Sequence, residues 1–131
     1  MATRTNIHSG APWESIAGYC RAVRVGSHIM VSGTAPVGVG GEVVGVGDAY
    51  AQAKRCIEII AVALEEAGAG LEHVVRTRMF VTHIEQWPEI ARAHREAFAS
   101  VSPATTMVEV SRLIDPAMLV EIEADALLPD D

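Results

Sequence analysis

Near the end of the sequence, acidic and apolar side chains alternate over six residues: Val120, Glu121, Ile122, Glu123, Ala124 and Asp125. In a β-strand this period of two places the carboxylates on one face and the apolar groups on the other. A carboxylate on such a face can accept a proton or a hydrogen bond from a bound water, and burial together with a neighbouring like charge raises its pKa. We therefore take Glu121 as the candidate catalytic residue, with a salt bridge to a nearby arginine as its structural alternative.

A second predicted strand, residues 74–82, carries two arginines on one face. One side of this strand carries Arg76, Arg78 and Phe80. The other side carries Val75, Thr77, Met79 and Val81. An arginine can bind a carboxylate through two parallel hydrogen bonds. Arg78 is therefore a candidate for binding an anionic ligand, and a structural ion pair is its alternative.

Other motifs that could carry chemistry are excluded by their spacing. Five glycines lie between residues 35 and 47, but they match neither GxGxxG nor GxxxxGK[ST], and they predict a flexible turn with a short edge strand at residues 42–44. The five histidines show no HxH, HxxxH or HExxH spacing. We therefore expect no metal site and no cofactor.

The composition limits the partners that the chain can have. The net charge is −7 and no run of basic residues occurs, which argues against nucleic acid as a partner. The apolar stretches fall short of the roughly 20 residues that span a bilayer, so no membrane segment is expected. Cys20 and Cys56 lack CxxC spacing and no leader pattern precedes them, which predicts reduced thiols in a cytoplasmic protein. A length of 131 residues suits one domain, residues 1–131.

The remaining patterns predict the elements. Residues 1–18 lack periodicity and are predicted to be an extended arm and loop, followed by strands at 19–25 and 28–33 joined by a two-residue turn. Asp48 is the predicted N-cap of a helix that ends at Gly68, and a second helix covers about residues 87–99. Residues 103–126 are predicted to form a hairpin that turns at Asp115 and Pro116. These elements make an α+β fold, a six-stranded mixed sheet with two helices packed on one face.

The other face of this sheet is predicted to be bare. It would hold a mixed set of side chains: Arg76, Arg78, Phe80, Met107, Glu109, Glu121 and Glu123. Such a set is too charged for a core and too rich in Met and Phe for a plain solvent face. We therefore expect closed cyclic oligomers with clefts between the subunits.

Several segments together resemble the Rid/YjgF superfamily of reactive intermediate deaminases over essentially the whole chain. They are GSHIMVSGTAPV, AQAKRCIEIIAVALEEAGAGLEHVV, RTRMFVTHIEQW, the EAF of the second helix, and PATTMVEVSRLIDPAMLVEIEADA. The resemblance implies a chorismate mutase-like homotrimer with a central barrel and small-molecule pockets at the subunit interfaces. It also implies hydrolysis of enamines or imines such as 2-aminoacrylate to a 2-keto acid and ammonia.

Individual positions match the family unevenly. Where active members have Pro-Ala-Arg-Ser, with the arginine on the substrate carboxylate, this chain has Thr105, and the cysteine two residues later is Met107. The asparagine of the second helix corresponds to Arg92, whereas the pocket tyrosine and glutamate match Tyr19 and Glu121.

The resemblance and the patterns together give the candidate substrate-binding residues: Tyr19, Arg78, Thr105, Thr106 and Met107. The two threonines could offer hydroxyls to a neutral ligand, or serve as ordinary β-branched strand residues. Two functions follow as hypotheses. One is an imine or enamine hydrolase whose substrate differs from 2-aminoacrylate, and the other is a non-catalytic trimer that binds a small metabolite.

Overall fold

The computed structural model describes residues 3–129, which form six strands and three α-helices. The strands are β1 (Arg4–Ile7), β2 (Ala22–Val25), β3 (His28–Thr34), β4 (Val74–Val81), β5 (Ala104–Glu109) and β6 (Val120–Leu127). The helices are α1 (Pro12–Ala17), α2 (Ala49–Glu66) and α3 (Trp87–Phe98). Short 3₁₀ turns at Leu71–His73 and Ile84–Gln86 precede β4 and α3.

All six strands belong to one sheet, in the order β1-β2-β3-β6-β4-β5. The β4–β5 pair is parallel and every other pair is antiparallel. Parallel neighbours need a long crossover connection, which α3 provides between β4 and β5. The predicted α+β class, with a six-stranded mixed sheet and two helices on one face, is confirmed.

The core lies between the sheet and the two longer helices. The period-two pattern of β6 buries Val120, Ile122, Ala124 and Ala126, as expected. The helix α2 begins with a cap in which the Asp48 side chain accepts a hydrogen bond from Ala51 N at 3.0 Å. It then buries an apolar stripe at steps of three and four: Ala49, Ala53, Cys56, Ile57, Ile60, Ala63 and Leu64.

Both cysteines are buried and unpaired. Burial raises the pKa of the Cys56 thiol, which disfavours the reactive thiolate. Among the residues described, no helix has the length and apolar character needed to cross a membrane.

The predicted hairpin of residues 103–126 is wrong. The strand β5 pairs only with β4, whereas β6 lies between β3 and β4. The ten residues 110–119 separate the two strands, which is more than a tight hairpin turn needs, and they let the chain pass β4 before β6 begins. A period of two identifies the faces of a strand but not its neighbours.

Two predictions for the first half of the chain also fail. Residues 3–18 of the predicted arm and loop contain regular elements instead, because β1 pairs with β2 and α1 follows with Pro12 in its first turn. Residues 1 and 2 of that prediction lie outside the described part of the chain. The edge strand predicted at 42–44 is only an isolated bridge between Val37 and Val43. Six strands were predicted and the described residues form six, but β1 takes the place of the strand predicted at 42–44. The predicted strand at 19–25 begins at Ala22, and its hairpin with β3 is confirmed.

Gln52 fixes the long connector between β5 and β6 to the helix layer. Its side chain is fully buried on α2. The amide nitrogen Nε2 donates to Ala117 O at 2.8 Å and to Gly45 O at 3.3 Å, and Oε1 accepts from Leu119 N at 2.7 Å. One side chain thus satisfies three backbone groups of partly buried residues.

Replacement of Gln52 by Leu should lower the free energy of unfolding by about 1–3 kcal/mol, because the Leu119 amide and the Ala117 carbonyl lose their partner. Urea unfolding at fixed protein concentration measures the change. Lys54→Leu, at an exposed position of the same helix, is the matched control. Equal midpoints for Gln52→Leu and the native protein would show that the connector does not depend on this side chain.

Candidate functional site

The sheet face away from α2 and α3 holds a charged ladder across β6 and β4. Arg78 stands opposite Glu123 in the register of the two strands. Its Nη1 lies 3.1 Å from Glu123 Oε1 and 3.2 Å from Asp125 Oδ2. The structural alternative for Arg78 is therefore present, since two carboxylates already balance its charge. An anionic ligand at Arg78 would have to compete with both of them.

The side chains of β5 point the opposite way from the prediction. Thr105 pairs with Thr77 and Met107 with Met79, and both partners face the helices. Thr105 Oγ1 lies 2.7 Å from Thr77 Oγ1, which lies 2.8 Å from His94 Nε2 on α3.

Met107 and Glu109 were therefore wrongly placed on the bare face, where Thr106 and Val108 lie instead. The pattern misled because β5 is an edge strand whose residues are partly exposed on both sides.

Glu121 lies on the bare face, opposite Phe80. Burial raises the pKa of its carboxyl group, and the charge of Glu123 raises it further, while the charge of Arg21 lowers it. Gly33 lies directly against this group, because a Cβ atom at Gly33 would overlap Glu121 Oε2. The carboxyl group thus packs against bare backbone, where burial raises its pKa and favours retention of its proton.

Arg21 is close enough to the same carboxyl group to affect its pKa, and Tyr19 lies next to Arg21. Gly18 ends α1 in a left-handed conformation with φ of 79°, and the chain then turns toward β2. Arg21 is only 6% exposed, and its Nη2 donates to Gly33 O at 2.7 Å. Its guanidinium carbon lies 5.7 Å from the centre of the Tyr19 ring, within the range of a cation–π contact.

The structure therefore brings together Tyr19, Arg21, Gly33 and Glu121. Of the predicted site residues, Tyr19 and Glu121 belong to this cluster, whereas Arg78 and Thr106 lie in the next row of the same face. Thr105 and Met107 face the helices. Arg21 and Gly33 were missed, although Arg21 directly precedes the buried Ala22 and so falls on the face away from the core by alternation.

Tyr19 also lines a cavity of about 440 Å³ between β1 and α1. Glu14 of α1, which is buried, borders this cavity and accepts hydrogen bonds from the Ser9 amide at 3.1 Å and from the Ser9 hydroxyl. Residues 3–129 contain no group of three or more His, Cys, Asp or Glu side chains that could hold a metal ion.

Comparison with known proteins places this chain in a family. The model of the family described as Endoribonuclease L-PSP matches residues 9–128. A crystal structure from Mycobacterium tuberculosis, described as a member of the YjgF/YER057c/UK114 family, is 45% identical with a TM-score of 0.88, covering 96% of this chain and 100% of that one. The E. coli YjgF gene product is 30% identical with a TM-score of 0.82, covering 94% and 98%.

A curated relative has a named activity. The 3-aminoacrylate deaminase RutC of Acinetobacter baylyi is 33% identical over 111 residues, 85% of this chain and 87% of that protein. These matches define a YjgF-type α+β protein with a six-stranded sheet. The chain belongs to the Rid/YjgF superfamily, as its motifs predicted.

The raised pKa of Glu121 predicts a pH-dependent cost in stability. Because the folded protein binds this proton more tightly than the unfolded chain, the penalty is absent below the ordinary value of about 4.5 and grows as pH rises through the folded pKa. Glu121→Gln should therefore melt at a higher temperature than the native protein at pH 7, and the difference should shrink toward pH 4. Thermal melts across this range measure it.

Glu65→Gln, which removes an exposed carboxylate of α2, is the control for the loss of one charge. Identical pH profiles for the two variants would contradict the assignment to Glu121.

Proposed function

We propose that the protein is a homotrimer that hydrolyses small imines or enamines in pockets at its subunit interfaces, releasing a carbonyl product and ammonia. The observation that carries the proposal is the Glu121 carboxyl group, which has a raised pKa and packs against Gly33 on a sheet face without helices. A carboxyl group whose pKa is raised by burial suits general acid–base catalysis. The named activity of the RutC relative, deamination of an enamine, belongs to the same class of reaction.

The position of the candidate residues favours a pocket between subunits. Within one chain, Glu121 and Thr105 lie on opposite faces of the sheet, and β6 and β5 are separated by β4. They can face a common ligand only if a second copy brings its β5 edge beside the Glu121 of the first. The bare face also exposes Met30 and Val108, apolar groups that an interface would cover. Closed cyclic symmetry is the ordinary way to bury such a face.

The proposed reaction uses Glu121 to move protons. An enamine first gains a proton at its terminal carbon and loses one from nitrogen, which gives the imine. Water then adds to the C=N carbon while the Glu121 carboxylate accepts a proton from it and returns it to nitrogen. The hydroxyl proton of this adduct then passes through Glu121 to the nitrogen as the C–N bond breaks and the C=O bond forms, so that the nitrogen leaves as ammonia. The overall balance is one imine and one water to one carbonyl compound and one ammonia.

The substrate-binding residues have different parts in this proposal. Tyr19 lies beside Arg21 and would contact the ligand from its own subunit. Thr106 and Arg78 line the next row of the same face. Thr105 and Met107 would contribute from the neighbouring subunit, through the exposed edge that β5 presents.

A non-catalytic, metabolite-binding trimer is the second candidate. The observation in its favour is Thr105, which stands where active family members are expected to carry a cation and whose hydroxyl is already engaged by Thr77. RNA is disfavoured as a substrate despite the family description, because the net charge is −7 and acidic residues run along the bare face.

Keto-acid release tests the proposal. An amino-acid dehydratase or oxidase generates 2-aminoacrylate or 2-iminobutyrate in situ, and the native protein should speed release of the keto acid above the spontaneous rate. Glu121→Gln should lose about 100-fold or more of this acceleration, because a carboxamide cannot exchange protons as an acid or base. No acceleration by the native protein leaves the metabolite-binding candidate, and full activity of Glu121→Gln excludes the role of Glu121.

A second pair of variants tests the packing of the carboxyl group in the same assay. Gly33→Ala should displace Glu121 Oε2 and reduce turnover without unfolding the protein, since Gly33 is not in a left-handed conformation. Gly40→Ala is the matched control, because its new Cβ would meet only the end of the exposed Glu42 side chain.

A further inference from the structure

We infer that Arg21 is the anion-binding residue of this site and that it holds the carboxylate of a small 2-imino acid or 2-keto acid whose reacting carbon lies at Glu121. The inference rests on the proposed function for the identity of the reacting group. It concerns a residue that has no counterpart in the predicted site, and it answers how a pocket without an arginine at position 105 can still bind an anion.

The first observation is an unbalanced buried charge. Arg21 is 6% exposed, and a guanidinium group stays protonated in proteins. Within residues 3–129 its only side-chain hydrogen bond goes to a neutral acceptor, Gly33 O, and its Nε is buried without a partner. A buried charge with no counter-ion is costly, so a compensating anion is expected at this place.

Glu121 does not fill that role by itself. Its carboxyl group lies close enough for the Arg21 charge to lower its pKa, yet the two groups form no ion pair within 4.0 Å in the described part of the chain. Burial outweighs the arginine, so the net shift of the pKa is toward the neutral acid. The guanidinium and the carboxyl group thus lie near each other without a direct ion pair.

Arg78 is the competing anion binder, and its surroundings differ. Its Nη1 contacts two carboxylates at 3.1 and 3.2 Å, and 41% of its side chain is exposed. A ligand carboxylate at Arg78 would meet these acidic neighbours and solvent screening. At Arg21 it would meet an unpaired cation in a site with little access to water, where the attraction is stronger.

The geometry also fits a 2-imino or 2-keto acid. In such a molecule the carboxylate is bonded directly to the C=N or C=O carbon, so a group that binds the carboxylate must lie next to the group that acts on that carbon. Arg21 and Glu121 are neighbours of this kind, joined through Gly33, which contacts both. The Tyr19 ring lies against the guanidinium and limits the approach of solvent from its side.

Binding of pyruvate, a stable 2-keto acid, tests the inference apart from turnover. Calorimetry on the whole native protein should detect binding, and Arg21→Met should weaken it by about tenfold or more, the loss expected for a charged hydrogen bond. Arg21→Lys keeps the positive charge but lacks the planar guanidinium group, which can donate two parallel hydrogen bonds. Its affinity for pyruvate should lie between those of the native protein and Arg21→Met. Arg95→Met, at an exposed position of α3, is the control and should bind pyruvate as the native protein does, whereas Arg78→Met tests the competing anion binder. Pyruvamide, which lacks the negative charge, should bind equally to the native protein and to Arg21→Met.

Each other outcome overturns the inference. Unchanged pyruvate binding by Arg21→Met, loss of binding only in Arg78→Met, or no binding by the native protein excludes Arg21 as the anion site. If Arg21→Met no longer forms the oligomer that the native protein forms, the anion that pairs with Arg21 belongs to a second copy of the chain instead of a ligand. The proposed hydrolysis is tested separately by the keto-acid release assay. A protein that binds pyruvate through Arg21 but does not speed that release has the binding site and lacks the activity.

Discussion

The main physical constraint on this protein is that helices cover only one face of its sheet. The apolar residues of β6 and β4 pack against α2 and α3, while the alternate positions of the same strands carry Glu121, Glu123, Arg78 and Phe80. Because the period of a strand is two, every residue that builds the core also presents a neighbour to the other side. The charged face is therefore held rigidly by the core, and its groups keep fixed distances from one another.

Two arginines on this face illustrate how surroundings decide the role of a charge. Arg78 forms salt bridges with two carboxylates, Glu123 and Asp125, on a partly exposed surface. Each salt bridge contributes little to the free energy of folding there, because water and salt screen it. Arg21 is buried beside Tyr19 and Gly33 with one neutral acceptor, which leaves most of its charge uncompensated. The second arrangement costs folding energy, and binding of an anion would recover that energy.

The sequence predicted what depends on local periodicity. It identified α2 and α3 and the two faces of β6, because the apolar periodicity of a helix or a strand depends only on residues that are close in the sequence. It also placed Glu121 on the face away from the helices, and the motifs pointed to the family. It did not predict that β6 lies between β3 and β4, because strand order depends on which distant segments meet.

The site was only partly predictable for the same reason. The burial of Arg21 depends on Gly33, which is 12 residues away, and on the turn at Gly18 that brings Tyr19 over it. The side of the sheet that Thr105 faces follows from its register with Thr77. The strand β5 lies at an edge and is exposed on both sides, so its sequence has no apolar alternation that would predict this register.

Sedimentation equilibrium of the dilute native protein tests the central claim most directly, namely that copies of the chain share the bare face. The account predicts a single species of three times the chain mass of 13.9 kDa. A stable species of one chain mass would contradict it, because Glu121 and Arg21 would then have no neighbouring subunit to complete a pocket.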